Sequence, residues 1–476
     1  MQEQKIMKQD ISVDIAVLGG GPGGYTAAFR AADLGLSVCL IEKDDRLGGV
    51  CLNVGCIPSK ILLHCASLVE DAQDGADFGI TFAVPGIDFD RIRAKKEGII
   101  AQLTAGLDGL CKARRITRLS GTATFKDTTR LTVAESGGAR IVTCKNAIIA
   151  TGSHPFVLPG SPDDPRIWDS TAALALKSIP KRLLIIGGGI IGLEMAQVYR
   201  AFGSEITLVE VLDQLIPSAD KDLVQPLFLK LKKRYRILTG TRVTGIAVTK
   251  GGVEVNLSGA DGSETGQFDA VLVAVGRRPN SAGIGLENIG ISPSEGGFIE
   301  VNEKQQTAVP RIFAIGDVVG EPMLAHKAMH QGKVAAEVVA GRTSSFTPLT
   351  IPSVAYTNPE IAWMGLTEKE AKEKGRDYDK GKFSWGASGR ALTAGAALGA
   401  TKVLFDRETG RIIGAGICGA HAGELIHEAV LALEMGADAR DISKTIHAHP
   451  TLSETFAFAS ELVDGSITDI LPPKKR

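Results

Sequence analysis

Apolar residues fill Val13–Leu18 (Val-Asp-Ile-Ala-Val-Leu) and the run stops at Gly19. That pattern predicts a largely buried strand. Gly19, Gly21 and Gly24 follow in the spacing G-x-G-x-x-G. Tyr25–Leu34 is Ala-rich and helix-prone, and Gly35 closes it. Ser37–Ile41 reads as a second strand with Glu42 at its end. The same succession returns at Leu183–Ile186, Gly187, Gly189, Gly192 and Glu210. In both copies the acid stands 23 residues after the first glycine.

Strand, glycine turn, helix, strand and acid make a dinucleotide-binding βαβ unit. The glycines let backbone N–H groups approach a pyrophosphate at a helix N-terminus. The carboxylate can accept hydrogen bonds from a ribose. One copy is weak evidence; two copies, each after a strand and each with its acid, are strong. Ile148–Gly152 and Val273–Gly276 are short apolar strands running into glycine, and Ile312–Gly316 repeats that pattern before Asp317. Pro-rich breaks at 155–165 and 348–359 suggest boundaries. From about Ile351 the pattern changes. Strand-like Ala400–Phe405 and Ile412–Cys418 precede a helix over Glu424–Met435 and a shorter one near Asp441–Ile446. This α+β segment lacks a glycine fingerprint, so ligand contact is not its first expected task.

The length, 476 residues, suggests about three domains. A formal charge of −1 gives no reason to expect nucleic acid or an anionic membrane as partner. Apolar residues at 44% and charged residues at 22% rule out disorder over the bulk of the chain. No stretch reaches the ~18 uninterrupted apolar residues of a spanning helix. Met1–Asp10 is polar and lacks the apolar core of a secretory signal. The chain is therefore read as intracellular and cytoplasmic. Its seven cysteines, with no C-x-x-C, fit neither a disulfide scaffold nor a zinc ribbon. Only Cys51 and Cys56 lie close together. Such a pair is either incidental or a redox device. Cys39, Cys65, Cys111, Cys144 and Cys418 are read as small buried residues.

Gly48–Lys60 reads Gly-Gly-Val-Cys-Leu-Asn-Val-Gly-Cys-Ile-Pro-Ser-Lys. Pro58 suits the first turn of a helix, which places Cys56 near its positive end. Lys60 adds a cation four residues after Cys56, on the same face. Both features favour a thiolate. The segment resembles the redox-active motif of the pyridine nucleotide–disulfide oxidoreductases. The resemblance covers essentially the whole chain. It takes in both fingerprints, Ala150–Gly152, Gly276–Asn280, Ala314–Asp317, Pro322–His326 and His447–Glu454. The last two segments are most specific to members that oxidise dihydrolipoyl groups.

The resemblance implies an α/β fold of two Rossmann-like dinucleotide-binding domains and a C-terminal α+β dimerisation domain. Its segments are 10–155 for FAD, 156–280 for NAD, 281–350 as a central return to the FAD domain, and 351–476 as the interface. Flavin contacts are expected from Gly19, Gly21, Gly24, Glu42, Lys43, Gly49, Lys60, Ala123, Thr151, Gly152, Asp317, Met323, Leu324, Ala325 and His326, the histidine through its backbone. NAD contacts are expected from Gly187, Gly189, Ile191, Gly192, Glu194, Glu210, Val243 and Gly276. Cys51 is implied as the outer thiol that exchanges with substrate, and Cys56 as the inner thiol against the flavin. A Lys60–Glu194 ion pair beside the flavin is implied too. His449 is read as a general base, oriented by Glu454, that reaches the disulfide of the other subunit of a homodimer. The spacing of His447 and His449, with no acidic or Cys cluster, does not suit a metal. His447 is as easily structural as functional. His64, His154, His421 and His427 are read as structural or exposed.

The implied activity is oxidation of dihydrolipoyl groups with reduction of NAD+, in 2-oxo acid dehydrogenase or glycine cleavage complexes. No lipoyl domain precedes Ile11, so the lipoyl group is expected from another chain. The alternatives are a glutathione- or mercuric-reductase-like enzyme and a non-catalytic flavin scaffold. NADPH would need a cation for its 2′-phosphate, yet Val211, Leu212, Asp213 and Gln214 follow Glu210, with no Arg or Lys before Lys221. Mercuric reductases and large thioredoxin reductases use an extra redox pair near the C-terminus. Here the last cysteine is Cys418 and the tail runs Leu471–Arg476. Soluble transhydrogenases lack the outer cysteine, which is present as Cys51.

Overall fold

A computed structural model describes residues 9–260 and 262–471. The polar start up to residue 8 and the tail from residue 472 lie outside the described residues. The chain opens with β1 (Ile11–Leu18), α1 (Pro22–Asp33) and β2 (Val38–Glu42). A short α2 (Gly49–Val54), a long α3 (Cys56–Asp74) and α4 (Phe89–Ala113) follow, then β3 (Thr117–Ser120). An antiparallel excursion, β4 (Thr122–Asp127) and β5 (Arg130–Glu135), returns as β6 (Gly138–Ile149). The sheet order is β3-β2-β1-β6-β5-β4. β1 sits between parallel neighbours β2 and β6, so both its faces are covered and its apolar run is continuous.

The chain leaves this sheet through β7 (Ser153–Pro155) and enters a second one. Its elements are β8 (Ile167–Trp168), α5 (Ser170–Ala175), β9 (Arg182–Ile186), α6 (Ile190–Ala201), β10 (Glu205–Val209), α7 (Lys221–Leu231) and β11 (Arg236–Leu238). An antiparallel flap follows, β12 (Arg242–Thr249), β13 (Gly252–Gly259) and β14 (Gly262–Phe268). β15 (Ala270–Val273) then completes the parallel order β11-β10-β9-β15-β8. The apolar run expected as a strand over 273–276 ends as a strand at Val273, though the Ala274 amide still donates to the Ile186 carbonyl at 2.8 Å and its own carbonyl closes on Gly187. β16 (Arg277–Pro279) pairs antiparallel with β7, so exit and return lie side by side. β17 (Ile312–Ala314) rejoins the first sheet beside β6, and α8 (Ala325–Val339) packs on α1.

The C-terminal part forms a third, antiparallel sheet, ordered β18-β19-β22-β21-β20. Its strands and helices are β18 (Ser353–Ala355), β19 (Glu360–Gly365), α9 (Glu368–Glu373), β20 (Tyr378–Ser384), α10 (Gly389–Thr393), β21 (Ala400–Asp406), β22 (Ile412–Gly419), α11 (Ala422–Met435), α12 (Ala439–Lys444) and α13 (Glu454–Asp464). Two of the contacts between the three parts show how they are joined. Buried Lys402 donates to Asp220 at 2.7 Å, Asp222 at 2.6 Å and Glu368 at 2.9 Å, joining α7 to the third sheet. Lys380 on Glu368 at 3.1 Å and Lys382 on Asp222 at 2.8 Å add two cations, so three ammonium groups face the three carboxylates. The second contact is α3. The helical run Gly49–Phe78 is long and apolar enough to cross a membrane by length and composition. Here Leu62, Leu63 and Ala66 enter one core with Leu193, Val198 and Tyr199. A fully buried leucine contributes about 2 kcal/mol, so this face fixes α3 against α6.

Candidate active site

The two glycine turns are near copies in space. Gly19 and Gly187 hold φ of +109° and +112°, a region that side chains disfavour. A Cβ on either would lie 2.3 Å from the Ala150 oxygen or 2.4 Å from the Ala274 oxygen. Gly24 and Gly192 lie beneath the turns. A Cβ there would sit 1.8 Å and 2.1 Å from the carbonyl oxygens of Gly19 and Gly187. Both glycines therefore serve helix-to-turn packing and do not line the cavity, unlike the direct contact expected of them. Gly21 and Gly189 begin α1 and α6 with no side-chain cap, so free amides face the cavity.

Glu42 and Glu210 match as well. Each accepts the amide of the second turn glycine, Gly20 or Gly188, at 2.7 Å. The other oxygen takes the amide of Asp44 at 3.0 Å or of Leu212 at 2.9 Å. The carboxylates thus hold their own turns, and their remaining lone pairs face the cavity each lines. That cavity is continuous, about 2430 Å3, and lined by both turns. It exceeds the roughly 300–1,000 Å3 of a single small-ligand site and fits two dinucleotides. All the expected flavin and nicotinamide residues except Gly24 and Gly192 line it.

Cys51 and Cys56 stand as free thiols on successive helices and open onto this cavity. The Cys51 thiol donates to Cys56, and that hydrogen bond does most to lower the Cys56 pKa, to about 7. Burial opposes it, and the Lys60 charge adds to it. The Cys51 thiol is pushed up by the same bond and by burial. Lys60 Nζ reaches Glu194 at 2.9 and 3.0 Å. Glu194 is buried, and also accepts the Tyr356 amide at 3.2 Å. Lys60 lies 4.3 Å over the Tyr356 ring. The sign of the pH dependence follows from the lowered value. The Cys56 thiolate of the reduced protein should persist above about pH 7 and be lost by protonation below it. Ultraviolet thiolate absorbance should fall along that limb, and Cys56→Ser should remove it. A titration flat through that range would overturn the assignment.

His449 and Glu454 lie outside the cavity of their own chain. His449 Nδ1 meets Glu454 Oε1 at 2.8 Å, while 80% of the histidine side chain is exposed. His447 instead pairs with Glu428 at 2.7 Å. The other histidines divide. His154 pairs with Asn280 at 2.7 Å, and His326 turns its ring to the Pro352 carbonyl at 2.9 Å. His154 and His427 line the cavity. Cys39, Cys111, Cys144 and Cys418 are buried, with Cys65 half-buried.

Several lining residues escaped the sequence reading. Arg277 Nε donates to Ser153 Oγ at 2.7 Å, and Ser153 in turn donates to Asp317 at 2.5 Å. This chain of bonds links β16, β7 and the start of the helical turn after β17. Arg242, His330 and Tyr356 also line the cavity. The C-terminal part takes part through Ile351, Pro352, Val354, Tyr356, His427 and Val430. Its expected distance from the ligand site is corrected by β18, which packs against α6.

Paired dinucleotide turns, with a cysteine pair between them, define a flavin- and nicotinamide-dependent dithiol–disulfide oxidoreductase. The chain belongs to the pyridine nucleotide-disulphide oxidoreductase family, whose model matches residues 13–332. That family's dimerisation domain matches residues 351–460. The chain is 51% identical to the dihydrolipoyl dehydrogenase of Haemophilus influenzae, covering 98% of each. The crystal structure of LpdA from Mycobacterium tuberculosis superposes with a TM-score of 0.88 at 26% identity, over 95% of this chain and 99% of that one. The HOCl-induced flavoprotein disulfide reductase RclA from Escherichia coli gives a TM-score of 0.84 at 27% identity, over 94% and 100%.

Proposed function

We propose that this chain oxidises dihydrolipoyl groups carried by a separate protein, reducing NAD+, as a cytoplasmic homodimer. The observation that carries this is the hydrogen-bonded Cys51–Cys56 pair opening onto the cavity of both dinucleotide turns. In the resting enzyme the pair is a disulfide. A substrate thiol loses its proton to His449 of the partner subunit and attacks Cys51 Sγ. The S–S bond breaks, and Cys56 leaves as a thiolate that the Lys60 charge favours; the Cys51 hydrogen bond joins it only when Cys51 is later released as a thiol. The second substrate thiol then attacks the substrate's own first sulfur. Lipoyl disulfide forms, and Cys51 Sγ is released and takes up a proton. Lys60, held by Glu194, stays beside the thiolate and balances its charge. FAD supplies two-electron storage between the dithiol and NAD+. Nothing in this sequence of steps requires the two nucleotides to exchange places, since each glycine turn holds its own.

A steady-state comparison tests the reading. Dihydrolipoamide should drive rapid NAD+ reduction, while NADPH and glutathione disulfide should give little turnover. The reverse ranking would reassign the chain to the glutathione-reductase-like alternative, and no flavin reduction by any dithiol would leave a scaffold.

NAD+ should be preferred over NADP+ by roughly 100-fold in kcat/KM, equivalent to about 3 kcal/mol. The cause is the Glu210 carboxylate, which would face a 2′-phosphate instead of a ribose hydroxyl. Comparable kcat/KM for the two nucleotides would sink this, and would make Arg242 the phosphate partner.

A further inference from the structure

Two histidines in the segment between α12 and α13 point in opposite senses. His449 is exposed, whereas only 8% of the His447 side chain is. The segment forms neither helix nor strand between Thr445 and Ser453. Its conformation therefore depends on side-chain anchors. Glu454 supplies one, accepting from His449 at 2.8 Å and from the Thr451 amide at 2.6 Å. His447 supplies another. Its Nδ1 faces the Thr445 carbonyl oxygen at 2.8 Å, and its Nε2 faces Glu428 Oε1 at 2.7 Å.

Both partners of that ring are acceptors. A neutral imidazole has one N–H and could satisfy only one of them. The ring therefore carries both protons and is cationic. The carboxylate of Glu428 pushes its pKa up, with the Glu454 charge adding to it. Glu461 on α13 is a further acid that feels this ring. The ion pair fastens the segment to α11, which lies against β19 and β22 and is itself well fixed.

We propose that His447, clamped as an imidazolium between Thr445 and Glu428, is a positioning residue that sets the reach of His449. It rests on the assignment of His449 as the base. General-base transfer needs heavy atoms within hydrogen-bond reach of the proton they take. A misplacement of about 1 Å can cost roughly 100-fold. Without the His447 anchor the imidazole is still held by Glu454, and Thr451 Oγ1 still donates to the Ala448 carbonyl at 2.7 Å, but among the bonds named here none then ties the segment to α11.

His447→Gln tests this, because glutamine can donate to Glu428 or to Thr445 but cannot span both. Turnover of dihydrolipoamide should fall about 10- to 100-fold in kcat, with KM nearly unchanged. NADH oxidation by ferricyanide, which bypasses the dithiol–base step, should be unaltered, as should FAD content. His447→Lys, which keeps a cation opposite Glu428, should recover part of the loss. The variant should also complement Cys51→Ser in heterodimers but fail to complement His449→Gln. A kcat within twofold of the parent overturns the proposal. So does an equal fall in ferricyanide reduction, which marks a general folding defect. If His449→Gln itself keeps full dihydrolipoamide activity, the base assignment fails first, and that result is separate from the His447 outcome.

Discussion

Cys51→Ser should lose dihydrolipoamide turnover by on the order of 10⁴-fold or more, the scale on which removing a nucleophilic partner acts. It should nevertheless keep FAD and a long-wavelength thiolate–flavin absorbance. The exchange step needs a sulfur at Cys51 because a serine oxygen cannot form the mixed disulfide. The absorbance needs only the Cys56 thiolate. Cys56→Ser should lose both turnover and the band. A finer comparison separates bond from bulk. The hydrogen bond from Cys51 is the first cause of the lowered Cys56 pKa. A serine hydroxyl can still donate it, and alanine cannot. The thiolate limb of Cys51→Ala should therefore lie at higher pH than that of Cys51→Ser. If Cys56→Ser shows the band and Cys51→Ser does not, the two thiols have exchanged roles.

What could be read from the chain was whatever the backbone itself demands. Gly19 and Gly187 must be glycine because a Cβ would collide with a neighbouring strand's carbonyl, so the turn leaves a mark in sequence. The acid at the next strand end is fixed by the same turn, through the Gly20 and Gly188 amides. Pro58 and Lys60 mark the start of α3 for equally local reasons. The Lys60–Glu194 pair spans 134 residues and was legible only through the family resemblance. Asp317 was named through the same resemblance as a flavin contact, but its bond to Ser153, and that of Ser153 to Arg277, were not. These bonds join segments that meet where the chain leaves and re-enters a sheet, and separations of 124 and 164 residues leave no periodic trace. Arg242 leaves no mark beside Glu210 in the sequence, because β10 and β12 are separated by a whole helix and strand. The fold brings β12 to that place instead: the Thr241 amide donates to the Glu210 carbonyl at 3.0 Å. The distinct fates of His447 and His449 were also hidden, since a two-residue spacing says nothing about direction in an irregular segment.

Mixing Cys51→Ser and His449→Gln proteins and reassembling them should restore activity that neither has alone. Within one chain, His449 lies outside the cavity that Cys51 and Cys56 line, and its side chain is mostly exposed. Glu454, at the start of α13, holds Nδ1, so Nε2 is the nitrogen that this contact leaves free. On the function proposed above, such an oriented base would belong to a site completed by a second copy. The family's dimerisation domain, over 351–460, carries it. In a two-fold dimer each site would combine cysteines of one chain with the histidine of the other. The mixed dimer then contains one site with both defects and one with neither, so each heterodimer should work at about half the rate of the parent dimer. Two differently tagged variants allow the heterodimer to be isolated and its activity measured per molecule. If that heterodimer forms and stays at the level of the single variants, His449 acts on the cysteines of its own chain, and the shared site must be abandoned.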